Sequence, residues 1–199
     1  MSDVTIGQRD IQIREEPIGS VPTLAAISIA FRVSRILDIV DSEAGTIGLV
    51  LRERANEDPY VKDYDEVSGD GPTKWSTRFD VSRWGLITAR RGGSLIGGAV
   101  IAYRTPNLYM LEGRNDLSAI WDIRVQPESR GAGIGSRLFR ASEDWARNRR
   151  CTQLVIETQN NNVPACHFYS AMGCKLGAMN RYAYPALPHE VQILWFKDL

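Results

Sequence analysis

Between Glu128 and Gly135 the chain reads ESRGAGIG: an arginine, then glycines at 131, 133 and 135, with Ser136 following. Glycines so spaced, ahead of a helical pattern, suit an anion. The first N–H groups of a helix have no intrahelical acceptor and carry the positive end of its dipole. A residue without Cβ lets a phosphate approach the backbone and tolerates positive φ. Arg130 adds a charged donor. The candidate anion-binding set is therefore Arg130, Gly131, Ala132, Gly133, Ile134, Gly135 and Ser136. A nucleoside-triphosphate loop needs GxxxxGK[ST], and no lysine follows these glycines. A dinucleotide fingerprint needs GxGxxG; Ser136 occupies its third glycine, although Glu157 stands near the ribose-binding place. Too little chain follows Glu157 for a second mononucleotide half. A tight strand-to-helix turn without ligand is the remaining alternative for the glycines taken alone.

The elements that must hold this loop are legible around it. SAIWDIRVQP is a β-branched and aromatic strand closed by Pro127. Ile134, Leu138, Ala141 and Trp145 recur at i, i+3 and i+4, which predicts a helix of about four turns ending near Arg150. TQLVIET is a strand, Pro164 opens a further helix with Ala165, Phe168, Tyr169 and Met172 inward, and Gly173 stops it. Upstream, alternation from Ile27 to Arg35 and from Ile47 to Leu51 predicts two strands, and residues 55–75 read as a long acidic loop. Runs on either side of Arg91, Gly92, Gly93 and Ser94 predict a hairpin. Two apolar runs, Lys175 to Tyr184 and Val191 to Phe196, end the chain. The fold class is mixed α/β (α+β), with a largely antiparallel first half and one βαβ unit. Residues 1–26 are expected to form an N-terminal arm and 27–199 a single domain.

Composition limits what such a domain does. Of 199 residues, 43% are hydrophobic and 24% charged, so a core can form and disorder is not the default. Lys plus Arg and Asp plus Glu number 24 each, which argues against nucleic acid or a membrane surface as partner. Cys151, Cys166 and Cys174 show no CxxC or His/Cys spacing and read as reduced thiols of a cytoplasmic protein. The N-terminal stretch lacks the apolar region of a secretory signal. His167 and His189 have no partner at ligand spacing, so no metal is expected.

RGAGIG after DIRVQP resembles the RxxGxG loop that follows a V-x-P strand end in the GNAT superfamily of N-acetyltransferases. Asn162, Ala165, Phe168, Tyr169 and Gly173 stand as NxxAxxFYxxxG, similar to that superfamily's second signature. The two motifs span residues 118–175 in the family's order. The chain departs from the pattern at Cys174, where an aromatic usually follows the glycine. ETQNNNVPACHFY, LGAMNRYAYP, HEVQILWF and the upstream YVKDYDE further resemble the streptothricin acetyltransferases within the superfamily. The resemblance implies a central sheet splayed between its fourth and fifth strands, with acetyl-CoA in the gap and its pyrophosphate on the loop. It implies backbone contacts from Ile123, Arg124 and Val125 to the pantetheine arm and thioester, and cofactor contacts from Asn162 and Ala165. It also implies Tyr169 as general acid at the departing sulfur, and admits a homodimer, since members are often dimers.

Transfer to an amine further requires that its proton be taken. An alkyl ammonium of pKa near 10.4 is neutral in only about one molecule in a few thousand at pH 7, an obstacle of roughly 4–5 kcal/mol. Asp122 and Glu157 are the candidate bases, acting directly or through water. From Glu57 to Asp70 six acids face one lysine. Such a stretch is commonly a solvated loop, yet it would attract a polycation. With the resemblance of YVKDYDE this makes Asp63, Tyr64, Asp65 and Glu66 the candidate acceptor-binding residues. Arg130, Arg137 and Arg140 make the helix start basic, as an anionic cofactor prefers. The expectation is an acetyl-CoA-dependent N-acetyltransferase acting on a primary amine of a small cationic molecule, possession of a streptothricin-like antibiotic acceptor being its sharpest form. Acetylation of a peptide or protein amine, and a non-catalytic acyl-CoA sensor, are the alternatives.

Overall fold

A computed structural model describes residues 11–41, 48–66 and 70–199. Seven strands form one sheet: β1 (Ile11–Glu16), β4 (Gly85–Arg91), β5 (Ser94–Tyr103), β6 (Leu117–Val125), β7 (Gln153–Gln159), β8 (Lys175–Asn180) and β9 (Gln192–Asp198). Their spatial order is β1-β4-β5-β6-β7-β9-β8. Only β6 and β7 run parallel, joined by helix α2 (Ile134–Asn148), the βαβ unit that the spacing predicts. Helix α3 (Val163–Ala171) follows β7, and α1 (Trp75–Arg78) is a single turn. A second sheet is a two-stranded ribbon of β2 (Phe31–Asp41) and β3 (Leu49–Lys62).

Strand alternation places apolar side chains on both faces of the large sheet. Ile87, Ala89, Ile101 and Ile120 join Leu138, Phe139 and Tyr169 beneath α2 and α3. Leu86, Val100, Ala102 and Ala119 join Leu24, Ile27, Trp75 and Trp84 on the other face. That second layer combines Val21 and Leu24 of the 3-10 segment Ile18–Ala26 with Trp75 of α1, Trp84, and Leu108, Met110 and Leu111 from the β5–β6 connection. No helix among the described residues is long and apolar enough to cross a membrane.

Three expectations change here. The stretch expected to be an arm is, from Ile11, the edge strand of the main sheet, because Ile11–Glu16 pairs residue by residue with Arg91–Leu86. Glu16 seals this edge by accepting bonds from Thr88 (2.9 Å) and Arg90 (2.8 Å). The strand expected from Ile27 begins only at Phe31, and Ile47 of its partner lies outside the described residues. The loop expected over 55–75 is strand as far as Lys62. Its polar, Pro-containing sequence is accommodated by a bulge: Val33 faces Tyr60 while Arg35 faces Ala55, so Pro59 never has to donate to the ladder. Asn56 pins the bulge through Val33 O (3.2 Å) and Asp58 O (2.8 Å).

Candidate active site

The fourth and fifth strands across the sheet, β6 and β7, pair only from Leu117↔Gln153 to Ile120↔Ile156. Beyond that point both continue, β6 to Val125 and β7 to Gln159, without bonding each other. A bulge starts the divergence. Val100 of β5 faces Asp122 while Ile101 faces Ile120, so Trp121 is the extra residue, and a bulge bends and twists its strand. The opening is the mouth of a cavity of about 690 Å³. Ile123, Arg124 and Val125 line it on the β6 side and Glu157 on the β7 side.

The glycine loop closes one end. Gly131 (φ +78°) and Gly133 (φ +77°) are left-handed, and a Cβ on either would meet no atom within 4 Å. Both therefore face open space at the start of α2, with Gly133 as its N-cap. That is the form of a phosphate cradle. Gly135 differs: it faces Phe168 at ordinary contact distance, so its role includes letting α2 and α3 approach. Ile134 and Ser136 line the cavity too. Ala132 does not belong to its lining, which leaves it as a spacer between two left-handed glycines.

Arg130 lines the cavity and also has partners of its own. Its guanidinium donates to Val125 O (3.0 Å), Ala30 O (3.0 Å) and Ser28 O (2.8 Å), so it ties the loop to the start of the β-ribbon instead of standing free beside the glycines. Arg137 likewise donates to Ile11 O (2.7 Å) and anchors β1. Two of the three arginines at the helix start thus have architectural duties, though their charge stays near the loop.

Asn162 caps α3 by accepting from Ala165 N (3.2 Å), which explains an asparagine ahead of Pro164. Four residues along the cavity wall, Pro164, Ala165, Phe168 and Tyr169, come from this helix. The Tyr169 ring packs on Phe139 and Phe168, centroids 6.1 and 5.2 Å away. Burial pushes its phenol well above the ordinary tyrosine range. Among the described residues no side chain bonds its hydroxyl.

The two candidate bases sit in different surroundings. Asp122 is buried, and both its oxygens accept from Arg124, at 2.9 and 2.7 Å. The same guanidinium bonds Asp65 (2.7 and 3.1 Å) and the carbonyl of Ile27 (3.0 Å). Arg124 is thus a buried bracket joining β6, the turn after β3 and the 3-10 layer. Burial pushes the Asp122 carboxyl up and the Arg124 bonds oppose that, so it differs from Glu157 in being ion-paired within the bracket, to which Arg124 contributes its side chain. Glu157 has no cationic partner in its hydrogen bonds. It accepts from Tyr184 and, at 2.8 Å, from Gln192, and burial raises its carboxyl above the usual range.

The acidic segment divides. Tyr64 and Asp65 line the cavity; Asp63 and Glu66 do not, and Asp63 instead accepts from the backbone N–H of Asp65 (3.0 Å). Tyr64 bonds Gln159 and receives a bond from Asn162 (3.3 Å). Asp70, the last of the six acids, lines the wall, and so do residues that sequence reasoning passed over: Trp75, Tyr109 and Trp121. No periodicity could single them out, because two separate connections, β3–β4 and β5–β6, and a bulge bring them together. His167 is exposed and bonds Glu53 (2.8 Å).

A parallel strand pair that splays over a glycine-started helix defines an acyltransferase architecture. The sequence profile of the acetyltransferase (GNAT) family matches residues 50–174, and the chain belongs to that family. Its fold and cavity are those of acetyl-CoA-dependent acetyltransferases. It is 26% identical over 179 residues to a streptothricin acetyltransferase of Streptomyces lavendulae, covering 90% of this chain and 89% of that one. A streptothricin acetyltransferase of Escherichia coli is 35% identical over 85 residues, and the match spans 41% of this chain and about half (49%) of that protein's length. A crystal structure with acetyl coenzyme A, described as a streptothricin acetyltransferase from Bacillus anthracis, superposes with a TM-score of 0.73 at 25% identity, over 95% of this chain and 99% of the other.

Proposed function

We propose that this chain transfers an acetyl group from acetyl-CoA to a primary amine of a small cationic acceptor, a streptothricin-like antibiotic being the leading candidate. One observation carries the reading: the left-handed glycine loop, Tyr169 and the uncompensated carboxylate of Glu157 all line one cavity where β6 and β7 part. The cavity wall carries four carboxylates, Asp65, Asp70, Asp122 and Glu157, against two guanidiniums, Arg124 and Arg130. Arg124 holds Asp65 and Asp122, and Arg78 stands 3.6 Å from Asp70, so Glu157 is the wall carboxylate without an ionic partner among the described residues and the one that would meet a cation.

The loop's empty Cβ positions and the α2 N-terminus fit the pyrophosphate of acetyl-CoA, with backbone N–H groups of Gly131, Gly133, Ile134, Gly135 and Ser136 as donors. Bound there, acetyl-CoA supplies the activated thioester. The edge of β6 left unpaired from Trp121 onward offers backbone groups of Ile123 and Val125 to the pantetheine arm. Glu157 takes the ammonium proton at its carboxylate, directly or through water, and its raised pKa makes it a better acceptor than a free carboxylate. Tyr169 holds a proton at its hydroxyl for the departing thiolate. The raised phenol pKa keeps that proton in place across the working pH range.

The test is thiol release from acetyl-CoA with streptothricin, spermidine, a lysine-terminated peptide and no amine. Release that depends on streptothricin is expected. Release only with the peptide would move the acceptor class to protein amines. Acetyl-CoA binding without release for any amine would overturn the enzyme reading.

A further inference from the structure

Glu157 reaches the cavity from the end of β7, yet two of the groups that hold its carboxylate stand outside the cavity wall. Tyr184 belongs to the connection between β8 and β9, and Gln192 is the first residue of β9. Tyr184 donates to Oε1 of Glu157 and Gln192 Nε2 donates to Oε2 at 2.8 Å. Gln159 completes the set, its Nε2 donating to the Tyr184 hydroxyl at 2.8 Å. A connection of eleven residues between two strands is longer than a hairpin needs, and this one is folded back over the β7 end. It is fixed there a second time by Glu190, which accepts from Lys62 and from Asn161 (3.1 Å).

We propose that Tyr184 and Gln192 are positioning residues, which aim the Glu157 carboxylate into the cavity and set the pH at which it takes the amine's proton. The inference rests on the reading of Glu157 as the base. Both oxygens receive a donor, Oε1 from Tyr184 with a longer bond from Gln159 (3.5 Å) and Oε2 from Gln192. A carboxylate held so keeps one orientation, and the bonds favour its ionised form while burial opposes it. The titratable groups facing Glu157 are Tyr184 from the β8–β9 connection and Tyr64 from the turn after β3, with Tyr109 reached through Gln192 (3.3 Å). On α3, Cys166 acts on Tyr64, and burial pushes that thiol up to about 11. The Lys62–Glu190 pair at the same corner is internally neutral. Burial raises the Asp122 carboxyl in the same cavity as well, so an acid limb is assigned to Glu157 only where Glu157→Gln removes it.

The sign follows. Removing a donor to the charged form raises the Glu157 pKa, so the acid limb of kcat/KM moves to higher pH, by about one unit for one such bond. The experiment measures kcat/KM against pH for the wild type, Tyr184→Phe, Gln192→Leu and Glu157→Gln. Streptothricin is the acceptor, or the best amine of the panel above if that one turns over faster. Acetyl-CoA affinity and circular dichroism report whether each variant is folded. Tyr184→Phe and Gln192→Leu should each displace the limb upward by about one pH unit with acetyl-CoA affinity unchanged, and Glu157→Gln should abolish the limb along with about 10²-fold of the rate. A limb that stays in place in both folded variants, while Glu157→Gln removes it, would overturn the positioning role and leave the base. A limb that survives Glu157→Gln would overturn the base, and the positioning role with it.

Discussion

Replacing Tyr169 by phenylalanine isolates one proton. The ring is 4% exposed and wedged between Phe139 and Phe168, so the substitution preserves the packing that a truncation would destroy. No side chain among the described residues bonds the hydroxyl, so its removal leaves no buried partner unsatisfied. Stability should therefore change by no more than about 0.5 kcal/mol. A general acid typically contributes 10²–10⁴-fold, and the lower figure corresponds to about 2.7 kcal/mol of transition-state stabilisation. The expected result is a fall of about 10²-fold in the single-turnover rate of thiol release, with an unchanged melting temperature and unchanged acetyl-CoA affinity. Burial holds the phenol well above its ordinary pKa, so the wild type should show no basic limb from Tyr169 up to about pH 10. Rapid-quench measurement avoids confusion with rate-limiting product release. A Phe variant whose single-turnover rate stays within a few-fold of wild type would make Tyr169 a packing residue and place the acid elsewhere.

Gly133→Val introduces a β-branched side chain at φ +77°, where the backbone is strained, and fills the open space before α2; calorimetry should show acetyl-CoA affinity reduced at least about 10-fold in a variant that still folds. Asp65→Asn leaves Arg124 with one carboxylate partner in place of two, so chemical denaturation should register a loss of roughly 1–3 kcal/mol, whereas Asp63→Asn, outside the cavity and the bracket, should stay within about 0.5 kcal/mol. Glu16 is held down from 4.5 to about 2 by its bond from Arg90, then by Thr88 and Arg14, against the opposing effect of burial. Its folded pKa is depressed, so the stability it contributes is present above pH 4.5 and is lost as pH falls toward 2. Glu16→Gln should accordingly lower stability at pH 7 and flatten its decline over that window.

What could be read from the chain was whatever depends on neighbours in sequence. The loop and both flanking helices obey local rules: Gly133 before an apolar stripe, Asn162 three residues ahead of the N–H it caps, Pro164 in the first turn, Gly173 at positive φ after the last. The hairpin at Gly92 and Gly93 is local in the same way. The errors lie where distant partners decide. Ile11–Glu16 is too short and polar to declare itself a strand, and becomes one because β4 offers an edge and Arg90 a counter-charge. Residues 55–62 read as loop because their composition is polar, and the four-residue bulge that absorbs Pro59 depends on a partner strand more than twenty residues away.

The same distinction sorts the site residues. Asp122 and Glu157 are indistinguishable as carboxylates near the ends of strands, and spacing assigned them equal standing. Their chemistry is separated by what lies opposite. Arg124, two residues along the same strand, turns back on Asp122 and spans to Asp65, holding both carboxylates in one ion-paired cluster. Opposite Glu157 are neutral donors, Tyr184 from the β8–β9 connection and Gln192 from the start of β9, which hold a carboxylate without neutralising it. A buried acid met by a guanidinium supports architecture, because protonating it would strand the cation. A buried acid met by neutral donors can gain and lose a proton at moderate cost. That difference is set by long-range pairing, so the surroundings of the two candidate bases become legible only once the strands are in place.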